Sequence, residues 1–199
     1  MSLKDLIHRE IEKHPHNEPL LRAFGPVWEE RERLLNLGTA TFDGLPVPDV
    51  LRLHEGIPVM KQIAAPLPEG TCREVALALL PFLKEGFPTL EMDLDRLGLG
   101  LQEGRLSFAS LGNGADPVPA ADRLLRRQVE RVVLEGMARR LKNLLKEAAW
   151  SRGYCPVCGS FPSLAVIGEK IGERTLHCSR CGHDWRFSRI VCPCCEQET

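Results

Sequence analysis

The chain contains 199 residues, 43% of them hydrophobic, and carries a formal net charge of -1 at pH 7. This length allows one well-packed core and a small appended module. The near-neutral charge, without long blocks of one sign, disfavours general nucleic-acid binding, and no apolar run reaches the roughly 20 residues that cross a membrane.

The first forty residues predict two helices. Apolar residues at helical spacing indicate an amphipathic helix over residues 3–14. A second helix is expected to begin after Asn17 as its N-cap and to end near Leu37, with Gly38 as its stop. Pro26 is expected to kink this helix or to split it in two.

The middle of the chain predicts further helices of uneven length. Residues 39–70 are rich in proline and glycine, which indicates turns and short helices. A clear apolar stripe predicts a helix over residues 72–86, with Thr71 as its N-cap. Residues 91–111 predict one or two more helices. Cys72 is interpreted as a small buried side chain rather than a metal ligand.

The longest predicted helix covers about residues 119–151, where apolar residues recur every three or four positions. Its other surface is mainly basic. A solvated face is the favoured interpretation, and a docking surface for an acidic partner is the alternative. The basic residues are Arg123, Arg126, Arg127, Arg131, Arg139, Arg140, Lys142 and Lys146.

Seven of the eight cysteines lie after residue 154, and four of them form two Cys-x-x-Cys pairs separated by a strand-prone segment. This spacing is typical of the tetrahedral metal site of a ribbon or rubredoxin module. Gly159 and Gly182 allow the positive φ that such a turn, or knuckle, needs. The predicted ligands are Cys155, Cys158, Cys178 and Cys181.

Two other interpretations of these cysteines are weaker. The N-terminus has no apolar core or cleavage site of a secretory signal, so a cytoplasmic chain with reduced thiols is expected, and disulfides are disfavoured. A thioredoxin-like motif would open a helix after a strand, whereas Cys155 and Cys158 have a second knuckle as partner.

The segments around the knuckles predict strands. Residues 161–167 and 174–177 indicate a β-hairpin, and residues 183–187 a third strand with alternating aromatic side chains. The expected fold class is therefore a mainly α N-terminal domain, residues 1–152, followed by a rubredoxin-like or zinc-ribbon β module, residues 153–199. This is a multidomain α+β arrangement.

A third cluster, Cys192-Pro-Cys194-Cys195, supplies only half of a second tetrahedral site. Three interpretations stay open. The remaining ligands come from a further segment, or they come from a partner or a second copy, or the half-site is degenerate.

The cysteine register, Trp185, Arg189, the segment from Glu55 to Pro58 and the long helix before the knuckles resemble the formate dehydrogenase accessory protein family, FdhE. The resemblance spans nearly the whole chain, which looks like a short or truncated member. It implies a helical domain followed by rubredoxin-like modules with two metal sites. Cys192 and Cys195 would supply half of the second site.

The resemblance also implies a function. Family members are cytoplasmic, non-enzymatic maturation factors that bind the catalytic subunit of a molybdenum- or tungsten-dependent formate dehydrogenase, and iron is associated with their cysteine sites. The sequence itself cannot separate iron from zinc, because four thiolates accept either. It also lacks a phosphate-binding loop, a zinc-protease motif and a nucleophile elbow.

Two alternative functions come from other classes. One is rubredoxin-like one-electron transfer at an iron site. The other, less favoured, is a nucleic-acid-binding zinc ribbon that uses its basic residues together with Trp185 and Phe187.

Overall fold

The computed structural model describes residues 2–38, 47–63, 66–111, 117–168 and 173–198. Two compact units are present. The first comprises Met1–Ala40 and Pro68–Val132, and the second comprises Thr41–Leu67 and Val133–Thr199. The domain boundary expected between residues 152 and 153 stays a prediction.

The described residues form helices along most of the chain and a small sheet near its end. The helices are α1 (Leu3–Lys13), α2 (Glu18–Asn36), α3 (Val50–His54), α4 (Val59–Ile63), α5 (Glu69–Gly86), α6 (Glu91–Gln102), α7 (Ala120–Arg140) and α8 (Lys142–Glu147). The strands are β1 (Leu164–Ile167), β2 (Arg174–His177) and β3 (Asp184–Phe187). The predicted fold class, mainly α with a small C-terminal ribbon-type β module, is confirmed.

The core of the first unit lies where α2, α5 and α6 pack together. Leu79, Leu83 and Leu94 are fully buried there. Helix α2 passes Pro26 without being split. A Cβ atom at Gly86 would lie 2.2 Å from the carbonyl oxygen of Ala23, so the backbones of α2 and α5 approach too closely for any side chain at this position.

Two predicted helix limits are wrong. Helix α5 begins at Glu69 rather than after Thr71, and the Glu69 carboxylate accepts hydrogen bonds from the backbone N–H groups of Phe108 and Ala109. The long predicted helix is interrupted at Leu141 and ends at Glu147. The hydrogen bonds of Glu69, to residues 39 and 40 positions away, accompany the first of these limits, and periodicity does not report them.

The sheet of the second unit is antiparallel, in the order β1-β2-β3. Leu176 of β2 lies opposite Trp185 of β3, and both side chains are buried. All four side chains of the edge strand β1 are exposed. The predicted strands are confirmed, while the turn between β1 and β2 lies partly outside the described residues.

Candidate metal centre

The first cysteine knuckle follows Tyr154 and is closed by two backbone hydrogen bonds. The N–H of Cys155 donates to the carbonyl oxygen of Ser160, and the N–H of Gly159 donates to the carbonyl oxygen of Cys155, both at 2.9 Å. Gly159 has φ of 76°, a conformation that costs a residue with a Cβ atom about 1–2 kcal/mol. Residues close together in the sequence therefore determine the conformation of this turn.

The second knuckle repeats this arrangement between β2 and β3. The N–H of Cys178 donates to the carbonyl oxygen of His183 at 3.0 Å, and the N–H of Gly182 donates to the carbonyl oxygen of Cys178 at 2.8 Å. Gly182 has φ of 68°. Since β2 and β3 are paired, the ribbon holds this turn in place.

The two knuckles bring four sulfur atoms together. The Sγ atoms of Cys155 and Cys181 lie 3.4 Å apart, and those of Cys158 and Cys178 lie 3.5 Å apart. All four Sγ atoms lie within 4.8 Å of one another. A tetrahedral metal about 2.3 Å from each sulfur requires sulfur–sulfur distances of about 3.8 Å. The cluster therefore has the size and the donor set of a four-thiolate metal site.

The four thiols also change one another's acidity. Hydrogen bonding with Cys155 lowers the pKa of Cys158 and lowers that of Cys178 to about 6. Hydrogen bonding with Cys158 raises the pKa of Cys155, and hydrogen bonding with Cys155 raises that of Cys181. Four thiolates this close repel one another, so full ionisation of the cluster requires a cation at its centre.

Helix α4 supports the first knuckle from outside the cysteine motif. The backbone N–H groups of Val59 and Met60 donate to the carbonyl oxygens of Pro156 and Val157, each at 2.9 Å. These bonds fix the two residues between Cys155 and Cys158. Sequence reasoning missed this contact, because nothing local links positions almost a hundred residues apart.

Neither nearby histidine joins the cluster. The Nδ1 atom of His177 lies 2.7 Å from the Asp184 carboxylate, and the His183 ring lies parallel to that of Trp185, with centroids 6.5 Å apart. Among the described residues, the four cysteines alone form a group with metal-binding geometry. Hydrogen-bonding and packing roles for the two histidines agree with the sequence interpretation.

The third cysteine cluster, at residues 192–197, folds as a knuckle of the same type. The N–H of Cys192 donates to the carbonyl oxygen of Gln197, and the N–H of Glu196 donates to the carbonyl oxygen of Cys192, both at 2.8 Å. Glu196 has φ of 55°, where the other knuckles have glycine. Cys195 is exposed, and Cys192 is partly exposed.

The backbone of this third knuckle favours a thiolate. The backbone N–H groups of Cys195 and Cys194 hydrogen-bond to the Cys192 sulfur and lower its pKa. Cys192 and Cys195 do not join the four-cysteine cluster in the part of the chain that the structure describes. Their role as ligands of a second site stays a prediction.

The fold and the cluster together define a protein with a mainly helical N-terminal part and a ribbon-type module, whose two facing cysteine knuckles have the geometry of a four-thiolate metal site. Residues 154–189, which contain all four cluster cysteines, match the family model described as "FdhE, central domain". None of the described helices has both the length and the apolar content to span a bilayer.

Comparison with individual proteins also finds similarity to FdhE. The chain is 35% identical over 125 residues to "Protein FdhE homolog" of Citrobacter koseri, covering 61% of this chain and 37% of that protein. It is 49% identical over 49 residues to "Protein FdhE" of Salmonella paratyphi B and of Salmonella newport, covering 24% of this chain and 16% of each relative. These matches therefore span well under two thirds of the relatives' length.

The crystal structure of the FdhE protein from Pseudomonas aeruginosa has the same fold. It matches with a TM-score of 0.58 and 24% sequence identity, covering 98% of this chain and 68% of that one. Together the comparisons confirm the resemblance carried by the cysteine register and support an FdhE-family protein.

Proposed function

We propose that this chain is a non-enzymatic accessory protein of formate dehydrogenase. It binds the catalytic subunit of a molybdenum- or tungsten-dependent enzyme in the cytoplasm and assists its assembly or activation. The observation that carries the proposal is the four-thiol cluster, which lies wholly within the segment that matches the FdhE central domain. The partner and the function come from the family that the chain resembles.

Co-purification from the native host tests this proposal. The tagged chain is expected to retain the formate dehydrogenase catalytic subunit, identified by mass spectrometry after anaerobic growth. A variant with Cys155→Ser and Cys178→Ser is expected to lose it, because the knuckles are no longer held together. Cys72→Ala is the matched control, since Cys72 is buried in the first unit. Failure of the unaltered chain to retain the subunit would contradict the proposal.

We further propose that Cys155, Cys158, Cys178 and Cys181 hold one iron or zinc ion. The sulfur–sulfur distances and the three buried thiols support this assignment. Iron in this donor set supplies a one-electron couple, whereas zinc supplies a structural link only. Metal analysis and a visible spectrum of anaerobically purified protein separate the two. Less than about half an equivalent of either metal would contradict the assignment.

The third knuckle is proposed as half of a second site. Its backbone hydrogen bonds match those of the first two knuckles, so Cys192 and Cys195 are already arranged as a ligand pair. A further segment, a partner or a second copy must supply the other two ligands. If the other two ligands are present, introducing Cys192→Ser with Cys195→Ser is expected to lower the metal content. If they are absent, the metal content should not change. Measuring the metal content with and without the partner tests this.

Electron transfer is the second candidate function. Cys158 is partly exposed while Cys155, Cys178 and Cys181 are buried, so an iron held there is shielded on most sides and approachable on one. An iron site whose oxidation state changes reversibly without loss of metal supports this candidate. A site that contains only zinc after anaerobic growth removes it.

The nucleic-acid hypothesis requires exposed aromatic rings on which bases can stack. Trp185 and Phe187 are 5% and 7% exposed, so neither ring can stack on a base. The guanidinium of Arg174 lies over the Phe187 ring, and Arg186 pairs with Glu173 at 3.1 Å. These interactions tie Arg174 and Arg186 to the ribbon itself, and we do not propose this function.

A further inference from the structure

A cavity of about 510 Å³ lies within the second unit, and none of the four cluster cysteines lines it. The end of α7, helix α8 and residues 182–186 line it. We call it the Trp150 groove. Its volume lies within the range of specific ligand sites, and it exceeds what one buried side chain fills. Neither the metal centre nor the resemblance to FdhE assigns it a role.

The floor of the Trp150 groove consists of apolar side chains, and hydrogen bonds hold its two indole rings in place. It contains the nearly buried side chains of Ala138, Leu145, Trp150 and Trp185. The indole N–H of Trp150 donates to the carbonyl oxygen of Tyr154 at 2.8 Å, and that of Trp185 donates to the carbonyl oxygen of Arg152 at 3.1 Å. Because both indole N–H groups are already satisfied, the rings offer the groove carbon surface only.

The acidic groups at the rim are already paired. Asp184 lies 2.7 Å from His177, and Glu135 lies 3.0 Å from Arg139. On the opposite side, Arg186 pairs with Glu173, which lies outside the groove. Glu135 and Arg139 cancel each other within the lining. Asp184 offsets one positive charge at most, so the lining keeps a net positive charge.

Two lysines supply that charge. Lys142 and Lys146 are exposed, and the structure gives neither an ion-pair partner among the residues that it describes. They lie one turn apart on α8, about 6 Å along the helix axis. Alternate side chains of an extended peptide are about 6.6 Å apart, so two carboxylates of one extended segment match this pair.

We propose that the Trp150 groove binds an acidic peptide segment through an apolar anchor residue. The anchor enters the groove between α8 and residues 182–186, and two alternate carboxylates on the same face of the segment pair with Lys142 and Lys146. This inference rests on the proposed function only for the source of the segment, a partner polypeptide. It also assigns a role to the C-terminal end of the basic surface predicted for residues 119–151, where Lys142 and Lys146 lie.

Isothermal titration calorimetry of the full chain tests the proposal without formate dehydrogenase. The probe is the unlabelled peptide acetyl-Phe-Ser-Glu-Ser-Asp-amide in 50 mM salt, in which the anchor and both carboxylates lie on one face of the extended chain. We expect saturable binding that weakens when the salt is raised to 300 mM, since charge pairs at a surface are screened. The peptide with Ser in place of Phe, and the peptide with Lys and Arg in place of its acidic residues, are each expected to bind at least tenfold more weakly.

Matched variants locate the binding. Lys142→Glu with Lys146→Glu is expected to weaken binding at least tenfold, because two attractions become two repulsions. Lys61→Glu is the control, since Lys61 is exposed on α4 and does not line the groove. Circular dichroism checks that all variants stay folded.

Three results would overturn the proposal. They are no binding of the acidic peptide, equal binding of the peptide that lacks the apolar anchor, and equal losses in the α8 and Lys61 variants. Because the probe is a free peptide, these results are independent of whether formate dehydrogenase co-purifies. Binding of the peptide without co-purification would contradict the proposed function alone.

Discussion

The phenol hydroxyl of Tyr154 donates a 2.7 Å hydrogen bond to the carbonyl oxygen of Gly56. This bond joins the residue before the first knuckle to the turn that leads into α4. Gly56 has φ of 86°, and a Cβ atom there would lie 2.9 Å from the Tyr154 hydroxyl and 2.8 Å from the Arg152 side chain. The turn therefore requires glycine both for its backbone and for this contact.

Substitutions at these two positions are expected to loosen the first knuckle to different degrees. Tyr154→Phe removes one hydrogen bond and should cost about 1 kcal/mol. Gly56→Ala adds left-handed backbone strain of about 1–2 kcal/mol to the weakened hydrogen bond. Hydrogen exchange at the Cys155 and Gly159 amides measures both effects.

The expected order is fastest exchange in Gly56→Ala, intermediate exchange in Tyr154→Phe and slowest exchange in the unaltered chain. Gly70→Ala is the control, since a Cβ atom there meets nothing within 4 Å. Equal protection in Gly56→Ala and the unaltered chain would show that this turn does not support the knuckle.

The third knuckle is expected to detach when Gly153 gains a side chain. A Cβ atom at Gly153 would lie 1.8 Å from the carbonyl oxygen of Pro193, a backbone contact that cannot relax by a rotamer change. Gly153→Ala should therefore displace residues 192–197 and accelerate the reaction of Cys192 with a thiol reagent. An unchanged rate in this variant would mean that the two backbones do not meet in solution.

Glu196 is expected to hold this knuckle through its carboxylate. Its Oε1 atom accepts a 2.9 Å hydrogen bond from the N–H of Gly153, and its Oε2 atom lies 3.5 Å from Arg152. Glu196→Ala should destabilise the knuckle by about 1–2 kcal/mol, because the Gly153 donor loses its partner. Glu196→Gln keeps an acceptor oxygen and should cost much less, and exchange of the Gly153 amide distinguishes the two variants.

The eight cysteines are expected to react with a thiol reagent in four groups. Cys194 and Cys195 are exposed and should react first, followed by Cys192. The four cluster cysteines should react only after a chelator removes the metal, because bound thiolates are protected. Cys72 should react only on unfolding. Early reaction of the cluster in metal-loaded protein would contradict the proposed site.

Cys72 should also make the stability of the first unit depend on alkaline pH. Burial raises the pKa of Cys72 from 9.0 to about 12. Its thiol therefore favours the folded state fully below pH 9, and this contribution falls by about 1.4 kcal/mol per pH unit between pH 9 and pH 12, as the unfolded chain ionises first. Denaturant titration should show this loss relative to Cys72→Ala. Parallel pH profiles for the two proteins would contradict it.

The cysteine knuckles and most helices and strands could be predicted, because they depend on residues close together in the sequence. The Cys-x-x-Cys spacing with Gly159 and Gly182 predicted the two knuckles, because such a turn is closed by bonds between residues a few positions apart. The strands around them and most helices followed from periodicity for the same reason. Helix α2 passes Pro26 and α5 begins at Glu69, since tertiary packing overrides local preferences there.

The sequence by itself determined the four-cysteine cluster, the likeness to FdhE and the mainly α fold with its small ribbon. Only the tertiary structure showed that α4 and Gly56 hold the first knuckle, that Cys192 and Cys195 lie in a preformed third knuckle, and that an apolar groove lies beside Lys142 and Lys146. These features join residues far apart in the chain. Periodicity and motif spacing report local geometry, whereas such contacts depend on how the whole backbone folds.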